Sequence, residues 1–191
     1  MRYFVFLEFA DQKVRNFLNS LRDSLTGGVN TKPIHVTVRG PYVDPPERGV
    51  LEQLSENLQG YGVVIGGAGT FKTKTGFAVY LRVQSPVFAE IWWKPDFNEF
   101  EIRPHVTIFE TTSARAAKIV ERFLRTERIE IFTISLSLAV YTSKQLELFE
   151  TSIDPEVQKK RAHVERWSVK PGILQRAASL RDLLAHNSDD T

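Results

Sequence analysis

Two short stretches of this sequence repeat one another: Lys32-Pro33-Ile34-His35-Val36-Thr37-Val38 and Arg103-Pro104-His105-Val106-Thr107-Ile108. Each is a His-x-Thr triplet in a short apolar run, led in by a basic residue and a proline. The chain has four histidines, and two of them sit in this context. In an extended strand, residues i and i+2 project from one face. His35 and Thr37 therefore share a face, as do His105 and Thr107, while Val36 and Val106 turn toward a core. Two imidazoles and two hydroxyls in one cleft suit acid–base work on a phosphodiester. Imidazole titrates near pH 6.5, so one ring can be neutral while the other is protonated. The neutral ring takes a proton from the attacking oxygen and the protonated ring gives one to the leaving oxygen. Each such transfer is typically worth about 10²–10⁴ in rate. Hydroxyls beside the rings can donate to the non-bridging oxygens and hold the phosphate in line. A strained 2′,3′-cyclic phosphate is a suitable substrate, and the chemistry calls for no metal and no cofactor.

Other residues bear on the same site. Arg39 stands two positions beyond Thr37 and reads either as a phosphate contact or as a solvated rim charge. Phe71 or Phe77 can stack on a base, although thirteen phenylalanines must mostly build core. Tyr141 can reach the cleft edge from a late strand. Lys72 and Lys74 follow a glycine-rich stretch, Gly66-Gly67-Ala68-Gly69. That stretch lacks the strand–turn–helix setting of a phosphate loop and reads as a loop-like hairpin. His163 and His186 lack the motif and read as structural or solvent-exposed. Trp92-Trp93 reads as one buried and one rim aromatic. Without cysteine, a zinc site is not expected.

The elements that must position the motifs follow from periodicity. Residues 3–9 read as a buried strand. Val14, Phe17, Leu18, Leu21 and Leu25 recur at helical spacing, giving a helix over 11–25 capped by Asp11 and ended by Gly27-Gly28. The first motif strand follows, then a turn-rich segment over 39–46, a helix over 47–58 and a strand over 62–65. The second half replays this order. It has a strand over 77–83, a short helix with Val87, Phe88, Ile91 and Trp92, and the second motif strand. A helix capped by Ser113, a strand over 129–138 and a further strand over 146–149 complete it. The motif histidines lie 70 positions apart, about one such unit. This spacing implies an internal duplication. The predicted architecture is α+β and bilobed, with two antiparallel sheets facing a central cleft and helices outside. Residues 1–152 form that duplicated domain, and 153–191 add a C-terminal helical extension with its helix over 171–186.

Composition bounds the function. The chain has 191 residues with 42% hydrophobic and 25% charged content, ordinary for a globular protein. No apolar run approaches the roughly 18 residues of a membrane span, and the start reads as a strand rather than a signal peptide. The absence of cysteine fits a cytoplasmic protein. A net charge of +2 is too small for a general nucleic-acid binder and points to a local positive cleft and a small substrate.

The tetrapeptides His35-Val36-Thr37-Val38 and His105-Val106-Thr107-Ile108, at this separation and within repeated α/β units, resemble the two-histidine phosphoesterases. These include the 2′-5′ RNA ligase-like proteins and the 2′,3′-cyclic nucleotide phosphodiesterases. The resemblance covers residues 2–150. It implies a bilobed fold with a central cleft, metal-independent chemistry, catalytic roles for His35 and His105, and phosphate-binding roles for Thr37 and Thr107. Many RNA-processing members carry a basic residue soon after the second motif; here Phe109-Glu110 stands in that place. The expected activity is hydrolysis of a 2′,3′-cyclic or 2′-linked phosphodiester of a nucleotide or RNA end, by a monomer that needs no membrane. The alternatives are a nucleotide or RNA-end binding module without turnover and a 2′-5′ RNA ligase.

Overall fold

Alternation writes the first strand. In β1 (Tyr3–Phe9) Val5, Leu7 and Phe9 are fully buried, while Phe4, Phe6 and Glu8 occupy the other face. Burying each such apolar side chain contributes about 1.5–3 kcal/mol. In helix α1 (Gln12–Thr26) the Asp11 side chain accepts from the Val14 N–H at 3.0 Å, and the stripe Val14, Phe17, Leu18, Leu21 and Leu25 is buried. The helix stops at Gly27, whose N–H donates to the Asp23 carbonyl. The computed structural model describes residues 2–28, 33–58, 60–91, 103–134, 136–142, 149–150 and 164–186. Trp92, Trp93 and His163, and most of the strand expected over 146–149, lie outside the described residues.

The order continues as β2 (His35–Tyr42), α2 (Arg48–Leu58), β3 (Val63–Lys72), β4 (Phe77–Gln84), α3 (Val87–Ile91), β5 (His105–Thr111) and α4 (Ala114–Glu127). Then come β6 (Glu130–Thr133), β7 (Leu136–Thr142), β8 (Phe149–Glu150), β9 (Val164–Ser168) and a last helix, α5 (Ile173–His186). The fold is α+β. Two antiparallel sheets run β2-β1-β7-β8 and β5-β4-β3-β6-β9.

The sheet orders carry the repeat further than the sequence did. β2-β1-β7 and β5-β4-β3 follow one pattern, a motif strand at the edge, its partner inside, then a third strand. That third strand comes from the other half of the chain: β7 closes the first sheet and β3 the second. The halves are thus interlaced. One buried cluster runs through both sheets and the helices, from Val5, Leu7, Val36 and Val38 to Ile65, Leu81, Val106 and Ile108.

Four expectations change. The segment over 39–46 begins as strand, because β2 continues to Tyr42, which pairs with Tyr3. Gly40 permits this at a φ of 100°, where a Cβ would lie 2.6 Å from the Tyr3 carbonyl oxygen. Pro41 is tolerated because an edge strand can lose a ladder donor. The glycine-rich 66–72 is strand too, laddered to β4 with a bulge between Gly66 and Ala68, and the turn is confined to 73–76, where the Thr73 N–H donates to the Gly76 carbonyl. The single strand expected over 129–138 is two strands, since β6 belongs to one sheet and β7 to the other. The C-terminal segment adds an unforeseen strand: β9 pairs with β6, and α5 packs on α1 with Ile173 and Ala177 buried.

Candidate active site

The two motif strands are the exposed edges of their sheets, and β2 and β5 are in contact with each other. Burial alternates along both. Val36, Val38, Val106 and Ile108 point into the core, while His35, Thr37, His105 and Thr107 lie on the opposite faces.

Both imidazoles are held in one manner. His35 Nδ1 lies 2.9 Å from the Pro33 carbonyl oxygen, and His105 Nδ1 lies 2.5 Å from the Arg103 carbonyl oxygen. A carbonyl only accepts, so Nδ1 carries the proton in each ring and Nε2 is left as the nitrogen able to accept one. The acceptor is the residue two places upstream in both cases. The chain immediately before each histidine thus fixes its tautomer.

The surroundings differ. Across the ladder from His35 stands Glu8, and from Thr37, Phe6. The Phe6 ring stacks on the His35 ring at 3.7 Å between centroids and 10° between planes. His105 is flanked by Tyr80 at 5.0 Å and Phe71 at 5.1 Å, both inclined to its plane. Burial pushes the His105 pKa below the usual histidine value, and the hydrogen bond to the Arg103 carbonyl only partly opposes this. Tyr80 can lie there because Gly69 faces it across the ladder, where a Cβ would meet the Tyr80 hydroxyl at 2.4 Å. The glycine in that strand is a seat for the ring beside His105.

A cavity of about 420 Å³ opens between α1, the start of β2 and the middle of β5. Its wall includes Arg22 and Thr26, His35, and Thr107 and Glu110. It thus joins a histidine of the first motif to the threonine of the second. His105 and Thr37 are not part of this wall, and Thr37 is exposed on its strand.

The other candidates fall in several places. A register shift between Phe6 and Val5 separates Arg39, opposite Val5, from the row that holds Thr37. Phe77 pairs with Thr111, at the far end of β4 from the Arg82–His105 pair, and packs against the core. That end lies about 16 Å along the strand from His105, so Phe71 is the phenylalanine at the site. Tyr141 occupies β7 with its backbone opposite Phe4. Lys72 and Lys74 are exposed at the hairpin. His186 ends α5, its Nδ1 2.7 Å from the Asp182 carbonyl. Among the described residues no three His, Asp or Glu side chains come together as a metal site.

Sequence reasoning missed Phe6, Glu8, Tyr80 and Arg22. Residues 3–9 read as a strand buried throughout, whereas Phe6 and Glu8 lie on its half-exposed face, and only the strand pairing brings them to His35. Arg22 left a plainer trace, a cation within the otherwise apolar stripe of α1. No protein-family model matches this sequence, and no curated protein matches it significantly.

Proposed function

We propose that this protein is a phosphodiesterase that hydrolyses 2′,3′-cyclic or 2′-linked phosphodiesters of nucleotides or RNA ends, by the paired-histidine chemistry of the two-histidine phosphoesterases. The observation that carries this reading is the equivalence of the two motifs. His35 and His105 sit at matching positions on contacting edge strands, each with its Nδ1 tied to the carbonyl two residues upstream and its threonine two residues on.

In this reading His105, kept neutral by burial, is the base. Its Nε2 takes a proton from water as the water oxygen bonds to phosphorus. One ring P–O bond breaks, and His35 gives its Nε2 proton to the departing ribose oxygen. The product is a nucleoside monophosphate with one free hydroxyl restored. Thr107 and Thr37 donate to the non-bridging oxygens, whose charge grows in the transition state. The assignment follows from environment, since the motifs alone are symmetric.

The test incubates the protein with the four 2′,3′-cyclic mononucleotides in the presence of EDTA and follows products by phosphorus NMR. Ring-opened monophosphate is expected, with turnover nearly abolished in His35→Ala and in His105→Ala. The double variant should be little worse than either single one, because the pair acts as a unit. Saturable binding without turnover would replace the enzyme reading by a binding module. Activity lost to EDTA and restored by a divalent cation would refute the mechanism.

A further inference from the structure

Among the described residues Arg22 is the buried cation that the mechanism above does not use. It lies on α1 between Leu21 and Leu25 and is only 7% exposed. Its Nη2 donates to Asn19 Oδ1 at 2.9 Å, and its Nε stands 3.9 Å from an Asp23 carboxylate that is one-third exposed. Desolvation depresses its pKa more than Asp23 raises it. A guanidinium in that position is costly for packing alone, where leucine or methionine would serve a helix stripe better.

What it faces gives it a use. Arg22 lines the same 420 Å³ cavity as His35 and Thr107, and Thr26, one helical turn further on, donates its hydroxyl to the Arg22 carbonyl at 3.0 Å. The cavity continues along β5 from Thr107 to Glu110, about 10 Å of strand. The wall thus extends three residues beyond Thr107, the threonine of the second motif. Its volume is that of a small-molecule site. A planar guanidinium held in a buried position can bind phosphate oxygens two at a time and more strongly than an exposed lysine. Glu110 is exposed at the far part of this wall and opposes an anion placed there.

Resting on the phosphodiesterase reading, we propose that Arg22 forms a second phosphate subsite, so that the preferred substrate carries another phosphate beside the one that reacts. The class is a nucleoside 2′,3′-cyclic phosphate with a 5′-phosphate, or the cyclic end of an oligonucleotide.

The probes are a nucleoside 3′,5′-bisphosphate and the matching 3′-monophosphate, titrated calorimetrically against the wild-type protein. The bisphosphate should bind at least about tenfold tighter, as one bidentate arginine–phosphate contact implies. Arg22→Gln should shrink that ratio to about one, Arg22→Lys should keep part of it, and Glu110→Gln should raise bisphosphate affinity about two- to tenfold. Circular dichroism melting checks each fold. Equal affinities in the wild type, or an undiminished ratio in folded Arg22→Gln, would overturn the subsite. If Arg22→Gln does not fold, an unchanged ratio in both Arg22→Lys and Glu110→Gln would do the same. Binding is independent of turnover, so the two readings fail separately. Cyclic mononucleotide hydrolysis without bisphosphate preference removes only the subsite. Arg22-dependent preference without hydrolysis removes only the enzyme.

Discussion

At the scale of single residues, the two imidazoles share a tether and differ in surroundings, and in the proposed reaction that difference sets which ring is base and which is acid. Burial holds the His105 pKa low, while an unfolded histidine titrates near 6.5. The acid limb of kcat/KM should therefore fall below pH 6.5, because the base stays neutral until the pH drops past its lowered value. A limb already falling at pH 7.5 would assign the base elsewhere. Stability follows the same sign. As pH falls from about 6.5 toward the lowered value, the unfolded chain binds the proton and the folded one resists it, so stability is lost across that window. Over that window the urea midpoint of the wild type should fall more steeply with falling pH than that of His105→Gln, and equal slopes would show that His105 does not resist protonation. Thr107→Val keeps the β-branched shape and deletes one donor, and turnover should drop on the order of 10–10³. An unchanged rate would make Thr107 structural. The motif residues and their common face were legible because the two-residue strand period is local. Phe6, Glu8 and Tyr80 were not, because cross-strand partners are fixed by pairing between distant segments.

Elements carry a different lesson. Helices α1 and α4 were legible from apolar spacing and caps, with Ser113 accepting from the Ala116 N–H as Asp11 does from Val14. The glycine-rich half of β3 was not, since its ladder to β4 supplies what its side chains lack. β9 and α5 form a clasp. Trp167 meets Phe17 edge-on at 5.3 Å, Lys13 lies 4.2 Å over the Trp167 ring, and Lys170 Nζ donates to the Thr126 carbonyl. Arg176 grips Glu127 with two hydrogen bonds, Nε to Oε1 at 2.9 Å and Nη2 to Oε2 at 2.6 Å. That hydrogen bonding holds the Glu127 carboxyl below its ordinary value of 4.5, against the opposing effect of burial. A depressed carboxyl stabilises the fold above its unfolded pKa and loses that contribution as pH falls through the folded one. Glu127→Gln should thus melt lower than the wild type at pH 7, with the gap closing below about pH 4.5. A gap independent of pH would mean that packing, not charge, holds the clasp.

For the whole molecule, the reciprocal exchange of strands makes two repeated halves into one cooperative body. The first half keeps β1 and β2 but borrows β7. The second keeps β4 and β5 but borrows β3. Cutting within the turn at 73–76 would strip each sheet of the strand that covers its inner partner and would open the buried cluster shared by both. Neither half retains a complete three-stranded motif sheet, and two-stranded ribbons are marginal in water. The intact chain should therefore unfold in a single transition, with tryptophan fluorescence and far-ultraviolet dichroism coincident. Residues 1–75 and 76–191, expressed separately, should each lack a cooperative melt. Co-expressed, they should assemble, because the missing strands are supplied in trans. Reconstituted activity on a cyclic mononucleotide would tie this exchange to function, since His35 and His105 lie in different fragments and neither can turn over substrate alone. A cooperative melt in either isolated half would show that its own strands suffice, and would make the interlacing incidental to stability.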